Sequence, residues 1–329
     1  EEPFILGELP IEIEISVGIA LYSKPGENAD HLIRQAEIAM YQAKEERSGY
    51  CVYLAEKDQS RAEHVTLLAD LRRAIERNEL YLHYQPQVDL STRTISGAEA
   101  LLRWDHPKLG TISPDRFIGL AEDTGLIKPL TYWVLREAIR QCGEWRRNGL
   151  DFTVAVNISS RNLEADFPER IMAVLQSCKL PARNLELEIT ERTIMKDPIH
   201  TQEVFNRLKE FGIRISLDDF GTGYSSLSYL SKLPVNQIKI DKSFVIHMVT
   251  DENAAAIVRS TIELGHQLGL KVIAEGVESR DVLERLEALD CDALQGYFIS
   301  RPVSGRELAR WVRGFSCLPT QDRLLDAAS

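Results

Sequence analysis

Leu185-Glu186-Leu187-Glu188-Ile189-Thr190 and, after an amphipathic stretch long enough for a helix, Ile213-Arg214-Ile215-Ser216-Leu217-Asp218-Asp219 decide the fold. Each is a short run of strand formers with an acid at or near its C-terminal end, and the interval between them is that of a βα repeat. Working outward, the same unit recurs. Candidate strands fall at 81–88, 94–102, 152–158, 185–190, 213–217, 237–240, 271–274 and 293–298. Eight of them alternating with helical stretches favour a closed, mainly parallel barrel of the (β/α)8 kind over an open sheet. The turn at 90–93 is too short for a crossover helix, so the first two strands should pair antiparallel. The expected fold is therefore α/β, a modified TIM-like barrel with an antiparallel first strand pair.

A smaller α/β piece precedes it. Ile11, Ile13, Ile15, Val17 and Ile19 alternate as in a half-buried strand, and Leu32, Ile33, Ala36 and Met40 follow at helical spacing. The apolar-free run Glu56-Lys57-Asp58-Gln59-Ser60-Arg61 marks a boundary near residue 57. The expected organisation is a fragment at 1–56, a barrel at 57–317 and a loose tail at 318–329.

Composition bounds the function. With 44% hydrophobic and 27% charged residues the chain can bury a sizeable core. A net charge of −11 disfavours extended DNA or RNA, which need a basic stripe facing the phosphates, but leaves room for a small anionic ligand held by metal ions. Cys51, Cys142, Cys178, Cys291 and Cys317 lack zinc spacing and read as reduced packing residues. No apolar stretch reaches membrane-span length, and Glu1-Glu2-Pro3 is unlike the start of a signal peptide. A cytoplasmic location is expected, with upstream sensor or membrane domains belonging to a longer protein.

In such a barrel the strand C-termini converge on one face. Glu99, Asn157, Glu188, Asp218 with Asp219, Lys239, Glu275 and Gln295 all fall at or near such ends. Taken singly, each acid reads equally well as a solvated strand end or half of an ion pair. Together, five carboxylates face only Arg103 and Lys239. Clustered and partly buried, they would cost several kcal/mol per uncompensated ion or hold protons, unless a divalent cation joins them. Oxygen donors without Cys or His suit magnesium or manganese. Adjacent Asp218 and Asp219 suggest two ions, which in such sites sit roughly 3.5–4 Å apart and clamp a phosphoryl transfer. Lys239 reads either as an orienter of the attacking water or as an ion-pair partner of Asp241 or Glu275. Phe220-Gly221-Thr222-Gly223-Tyr224-Ser225-Ser226 has the glycines of a loop that closes over a site.

The ordered motifs Glu99-Ala100-Leu101-Leu102-Arg103-Trp104, Asn157-Ile158-Ser159, Glu188-Ile189-Thr190-Glu191, Asp218-Asp219-Phe220-Gly221-Thr222-Gly223, Lys239-Ile240-Asp241, Ala274-Glu275-Gly276-Val277-Glu278 and Gln295-Gly296-Tyr297 resemble the EAL-domain phosphodiesterases of bacterial signalling. These hydrolyse cyclic diguanylate (c-di-GMP) to linear pGpG with Mg2+ or Mn2+. The resemblance implies that Glu99, Asn157, Glu188 and Asp218 hold one ion, and Asp218 and Asp219 the other. It also implies that Lys239 acts on the water while Glu275 and Gln295 complete the shell. Gln85, Arg103 and Leu102 would contact substrate, and Glu191, Glu278 and Thr222 would support loops. A homodimer through the barrel is implied too. Residues 1–55, with Ser16-Val17-Gly18-Ile19-Ala20 and Ala39-Met40-Tyr41-Gln42-Ala43-Lys44, resemble the end of a GGDEF domain without its active-site segment, so no cyclase activity or GTP site is expected. Rival readings are a c-di-GMP receptor without turnover and a scaffold with a silent pocket.

Overall fold

The computed structural model describes residues 4–6, 9–11, 15–22, 28–45, 48–77, 79–222, 230 and 232–315. The chain divides into two compact units, Glu1–Leu71 and Arg72–Ser329.

In the first unit, β1 (Phe4–Leu6) and β2 (Leu9–Ile11) form an antiparallel hairpin, while β3 (Val17–Ile19) and β4 (Tyr50–Val52) pair in parallel around the helix Ala29–Glu45. Gly18 is needed at the crossing: a Cβ there would lie 1.9 Å from the Ala36 carbonyl oxygen. So close an approach leaves room only for small side chains, and Ala39 and Ala43, with Cys51, make the core. Ile33, placed on the apolar stripe by its spacing, is 58% exposed. Of the single strand expected over 11–19, Val17–Ile19 forms one strand and Ile11 ends another; Ile13 lies outside the described residues. The polar run at 56–61 is part of a continuous helix, Ala55–Arg77.

The second unit is the barrel. Its staves are β5 (Leu80–Asp89), β6 (Thr94–His106), β8 (Thr153–Asn157), β9 (Leu185–Thr190), β10 (Arg214–Phe220), β11 (Gln237–Ile240), β12 (Lys271–Ala274) and β13 (Ala293–Leu294). A short strand β7 (Gly110–Ile112) extends β6, and β14 (Val303–Ser304) adds to β5. Seven staves run parallel, from β6 through β13. β5 closes the ring, antiparallel to both β6 and β13. The antiparallel pair follows from the tight turn after Asp89, whose Oδ1 accepts from the Thr92 amide at 2.9 Å. The last stave is shorter than the stretch 293–298 read from sequence. After Leu294 the chain turns beneath Val277, whose amide donates to the Gln295 carbonyl.

Outward side chains of the staves pack with the helices around Val88, Ile240, Val258, Ile262, Val272, Leu286 and Leu294. Inward positions are largely polar, an arrangement tolerable only where partners are supplied. Cys142 and Cys291 are buried and free, and burial pushes their thiols up to about 12; Cys317 lies outside the described residues. No helix among the described residues is long and apolar enough to cross a membrane.

Candidate active site

Two-residue alternation turns Glu99 of β6, Glu188 of β9, Asp218 of β10 and Lys239 of β11 into the barrel, and ladder register sets their heights. Asn157 stands opposite Glu188 on the neighbouring stave, and Ser216 opposite Gln237. Lys239 occupies the centre and is fully buried. Its Nζ lies 2.5 Å from Glu275 Oε1, 2.8 Å from Glu188 Oε1, 3.3 Å from Asp218 Oδ1 and 3.7 Å from Glu99 Oε2. Of the two roles open from sequence, the ammonium thus meets Glu275 but not Asp241, whose carboxylate caps the next helix through the Ser243 amide.

Glu99 is held on both oxygens: Asn157 Nδ2 donates to Oε1 at 2.7 Å and Gln295 Nε2 to Oε2 at 2.6 Å. Gln295 also donates to Gln85 and accepts from Gln87, each at 3.0 Å. Gln87, 2% exposed, was not singled out from sequence. Its signal was there, because positions 85 and 87 share one face of a strand.

The charges are frustrated in a specific order. For Glu99, burial works against ionisation, but Lys239 and the bonds from Gln295 and Asn157 hold the carboxyl below its usual range. For Glu188, burial and then Glu99 push the carboxyl well above it. Burial, with Asp218 close by, pushes Glu275 up to about 8. Asp219 is raised by burial and by Asp218. Burial would lower Lys239, yet Asp218, Glu188, Glu275 and Glu99 together hold it well above its ordinary value. Both Glu188 oxygens and Lys239 Nζ are buried without a properly angled hydrogen bond among the described residues.

Asp219 is half-buried beside this cluster with φ of 54°, a left-handed conformation that costs a non-glycine residue about 1 kcal/mol. It is stabilised by its amide donating to Asp218 Oδ1 and by Thr222, whose hydroxyl and amide both donate to its carbonyl. Gly223 through Ser226 of the expected loop lie outside the described residues. Gln85 is buried beside Glu99 and joins Ser300 to the site. Arg103 shares the Glu99 face of β6, and its guanidinium donates to the Leu102 carbonyl at 2.8 Å. Leu102 itself alternates to the opposite face and is buried, so its side chain is not brought to the cluster; Leu101 shares the face of Glu99 and Arg103. Glu191, 3% exposed at the start of a short helix, keeps both carboxylate oxygens without a hydrogen bond among the described residues. Glu278 is exposed on the loop after β12.

Among the described residues no three acidic, His or Cys side chains already stand in a metal-ligating arrangement. The point where four carboxylates meet is filled by the Lys239 ammonium, one positive charge where more is wanted. The donor set nonetheless fits a hard divalent cation: among the described residues it offers carboxylates and an Asn amide, two Glu188 oxygens without properly angled hydrogen bonds, and no sulfur or imidazole.

Residues 68–302 match the EAL domain and residues 1–49 the GGDEF diguanylate cyclase domain. The bifunctional diguanylate cyclase/cyclic di-GMP phosphodiesterase MucR of Pseudomonas aeruginosa is 41% identical over 310 residues, 93% of this chain and 45% of MucR. The cyclic di-GMP phosphodiesterase NbdA of the same organism is 37% identical over 318 residues, 96% of this chain and 41% of NbdA. The chain thus spans less than half the length of these two relatives. Among solved structures, the MucR phosphodiesterase in complex with c-di-GMP superposes with a TM-score of 0.72 at 44% identity, covering 74% of this chain and 99% of that one. The EAL domain of Mycobacterium smegmatis DcpA does so with a TM-score of 0.63 at 33% identity, covering 73% and 100%.

Proposed function

Since the chain belongs to the EAL-domain family, we propose that it is a c-di-GMP phosphodiesterase that opens the cyclic dinucleotide to linear pGpG. The observation that carries this reading is the ring of four carboxylates around Lys239, with Glu188 lacking a properly angled hydrogen bond among the described residues. In the proposed reaction a water oxygen bonds to phosphorus, the P–O3′ bond breaks, and the departing 3′ oxygen takes up a proton. The product carries one 5′-phosphate.

Glu99, Asn157, Glu188 and Asp218 would hold one Mg2+ or Mn2+ ion, and Asp218 with Asp219 the second. When bound, such ions supply Lewis-acid polarisation of the phosphodiester and offset its charge. Lys239 orients the attacking water from a site where its neighbours keep it protonated. Glu275, the carboxylate nearest the ammonium, accepts a proton, its affinity for one raised by burial. Gln295 fixes Glu99 for its ion, and Gln87 and Gln85 fix Gln295. Arg103 and Gln85 contact the substrate, and on strand alternation Leu101 is better aimed at it than Leu102. Thr222 and Glu191 support the loop after β10, and Glu278 the loop after β12.

The activity is placed in the barrel, which lies within the segment 57–317 expected from sequence. The segment 1–56, lacking a cyclase motif, contributes no GTP chemistry, and appearance of c-di-GMP from GTP would overturn that. Exposed Ile246, Val249 and Ile257 after β11 support a homodimer through the barrel. The reaction is assigned to the cytoplasm, with sensor domains elsewhere in a longer protein. Incubating the protein with Mg2+ and c-di-GMP and separating products by chromatography tests the central reading: pGpG is expected, and tight binding without product would make the protein a receptor.

A further inference from the structure

Beyond Gln295 the chain makes a single turn, closed by the Ile299 and Ser300 amides donating to the Gly296 carbonyl. On it Tyr297 is 51% exposed, with the Arg301 guanidinium 4.6 Å over its ring. An exposed tyrosine needs no explanation by itself. Position and pairing are what call for one here. The turn is pinned to the carboxylate cluster at both ends, by Gln295 donating to Glu99 and by the Ser300 carbonyl accepting from Gln85. A third tie comes from the Phe298 amide, which donates to Val277. Gly296 keeps this seat close, since a Cβ there would come within 2.1 Å of the Val277 carbonyl oxygen. A flat aromatic ring is therefore held at the lip of an acidic site, with a cation stacked on it.

We infer that the Tyr297–Arg301 pair is the platform on which one guanine base of the cyclic dinucleotide stacks, an inference that rests on the c-di-GMP reading above. The ligand is a ring of two phosphodiesters flanked by planar bases, so a phosphodiester lying at the carboxylates projects a base toward the rim. A guanidinium 4.6 Å from an aromatic centroid lies within cation–π range and offers a second planar surface of its own. Its charge also moderates the acidic field that a phosphodiester must approach. Among the described residues Tyr297 makes no hydrogen bond to the carboxylates, so it acts on affinity and leaves the chemical step to the cluster.

The test measures kcat and KM for c-di-GMP hydrolysis together with calorimetric Kd, with Mg2+ and with EDTA. Tyr297→Ala and Arg301→Ala should each raise KM and Kd at least about fivefold, the low end of a base–aromatic stack. The kcat should stay within about twofold, and Tyr297→Phe should restore binding. Unchanged KM and Kd in both alanine variants would overturn the platform, as would a fall in kcat at constant Kd. A wild type that binds without forming pGpG defeats the hydrolase reading while the Kd ratios still decide the platform; a wild type that does not bind overturns both.

Discussion

Glu186 and Glu188 leave the same face of β9 two residues apart, each 1% exposed, and they live in opposite circumstances. Glu186 accepts a hydrogen bond from Gln237 Nε2, and Arg214 Nε lies 3.5 Å from its other oxygen. Glu188 has no properly angled hydrogen bond among the described residues, the Lys239 ammonium 2.8 Å away, and the carboxylates of Glu99, Asp218 and Glu275 around that ammonium. Burial raises the carboxyl in both, Glu188 further because Glu99 adds to it. Burial of an acid therefore does not mark a ligand site. What marks it is an acid that the protein leaves unsatisfied among other carboxylates gathered around one ammonium, a setting Glu191, equally short of hydrogen bonds, does not share. The lower layer closes on itself and reads as structure; the upper layer is left short of positive charge and reads as a receptor for cations.

The largest test of this contrast is at the shared cation. Lys239→Ala should lower kcat by about 10²–10⁴-fold, with c-di-GMP affinity changed far less; a variant turning over at the wild-type rate would remove the lysine from the reaction. Next, Mg2+ at about a hundred times its Kd should stabilise the wild type by about 2.7 kcal/mol. Thermal unfolding with and without chelator reads that gain, and Glu188→Gln should lose most of it.

The two glutamates should then separate in the metal-free protein. Glu186→Ala should destabilise by about 1–3 kcal/mol, since it strands Gln237. Glu188→Gln should stabilise by about 1 kcal/mol or more, because it removes the cost of making a carboxyl that is ionised in the unfolded chain take up a proton to be buried among other acids. Denaturant midpoints moving the same way in both variants would refute the contrast. The pH dependence has a definite sign. Glu275 binds its proton more tightly folded, at about 8, than its ordinary 4.5, so the stability it contributes is complete below 4.5 and is lost as pH rises through 8. Metal-free wild type should lose ground to Glu275→Gln across that window by up to about 1.4 kcal/mol per pH unit, and a flat difference curve would contradict it. The smallest effect is expected at Gln87→Leu, which frees Gln295 and should cost turnover several-fold while sparing the melting temperature to within a few degrees.

Much of this was legible in the residues because strands write their geometry in a period of two. The staves at 185–190, 237–240 and 271–274 were readable to the residue, and the antiparallel start followed from a four-residue turn. The shared site was legible from acids recurring at strand ends. Other features were not. The last stave stops at Leu294 because Val277 crosses it, a contact between segments distant in the chain. The polar run at 56–61 suggested a boundary near residue 57, yet a helix runs through it unbroken, because helix hydrogen bonds need no apolar face to continue. Leu101 and Leu102 are chemically identical, and only the face of β6 distinguishes them. Glu186 and Glu188 likewise differ in sequence only by position.

By itself the sequence determined the barrel, its antiparallel entry and the set of oxygen donors gathered at one rim, because alternation and strand-end placement are local properties of the chain. Only the tertiary structure decided that Lys239 stands at the meeting point of four carboxylates and that, among the described residues, Glu186 is satisfied while Glu188 is not. Pairwise distances among staves set those charges, and electrostatic energy depends on distance through space rather than on separation along the chain.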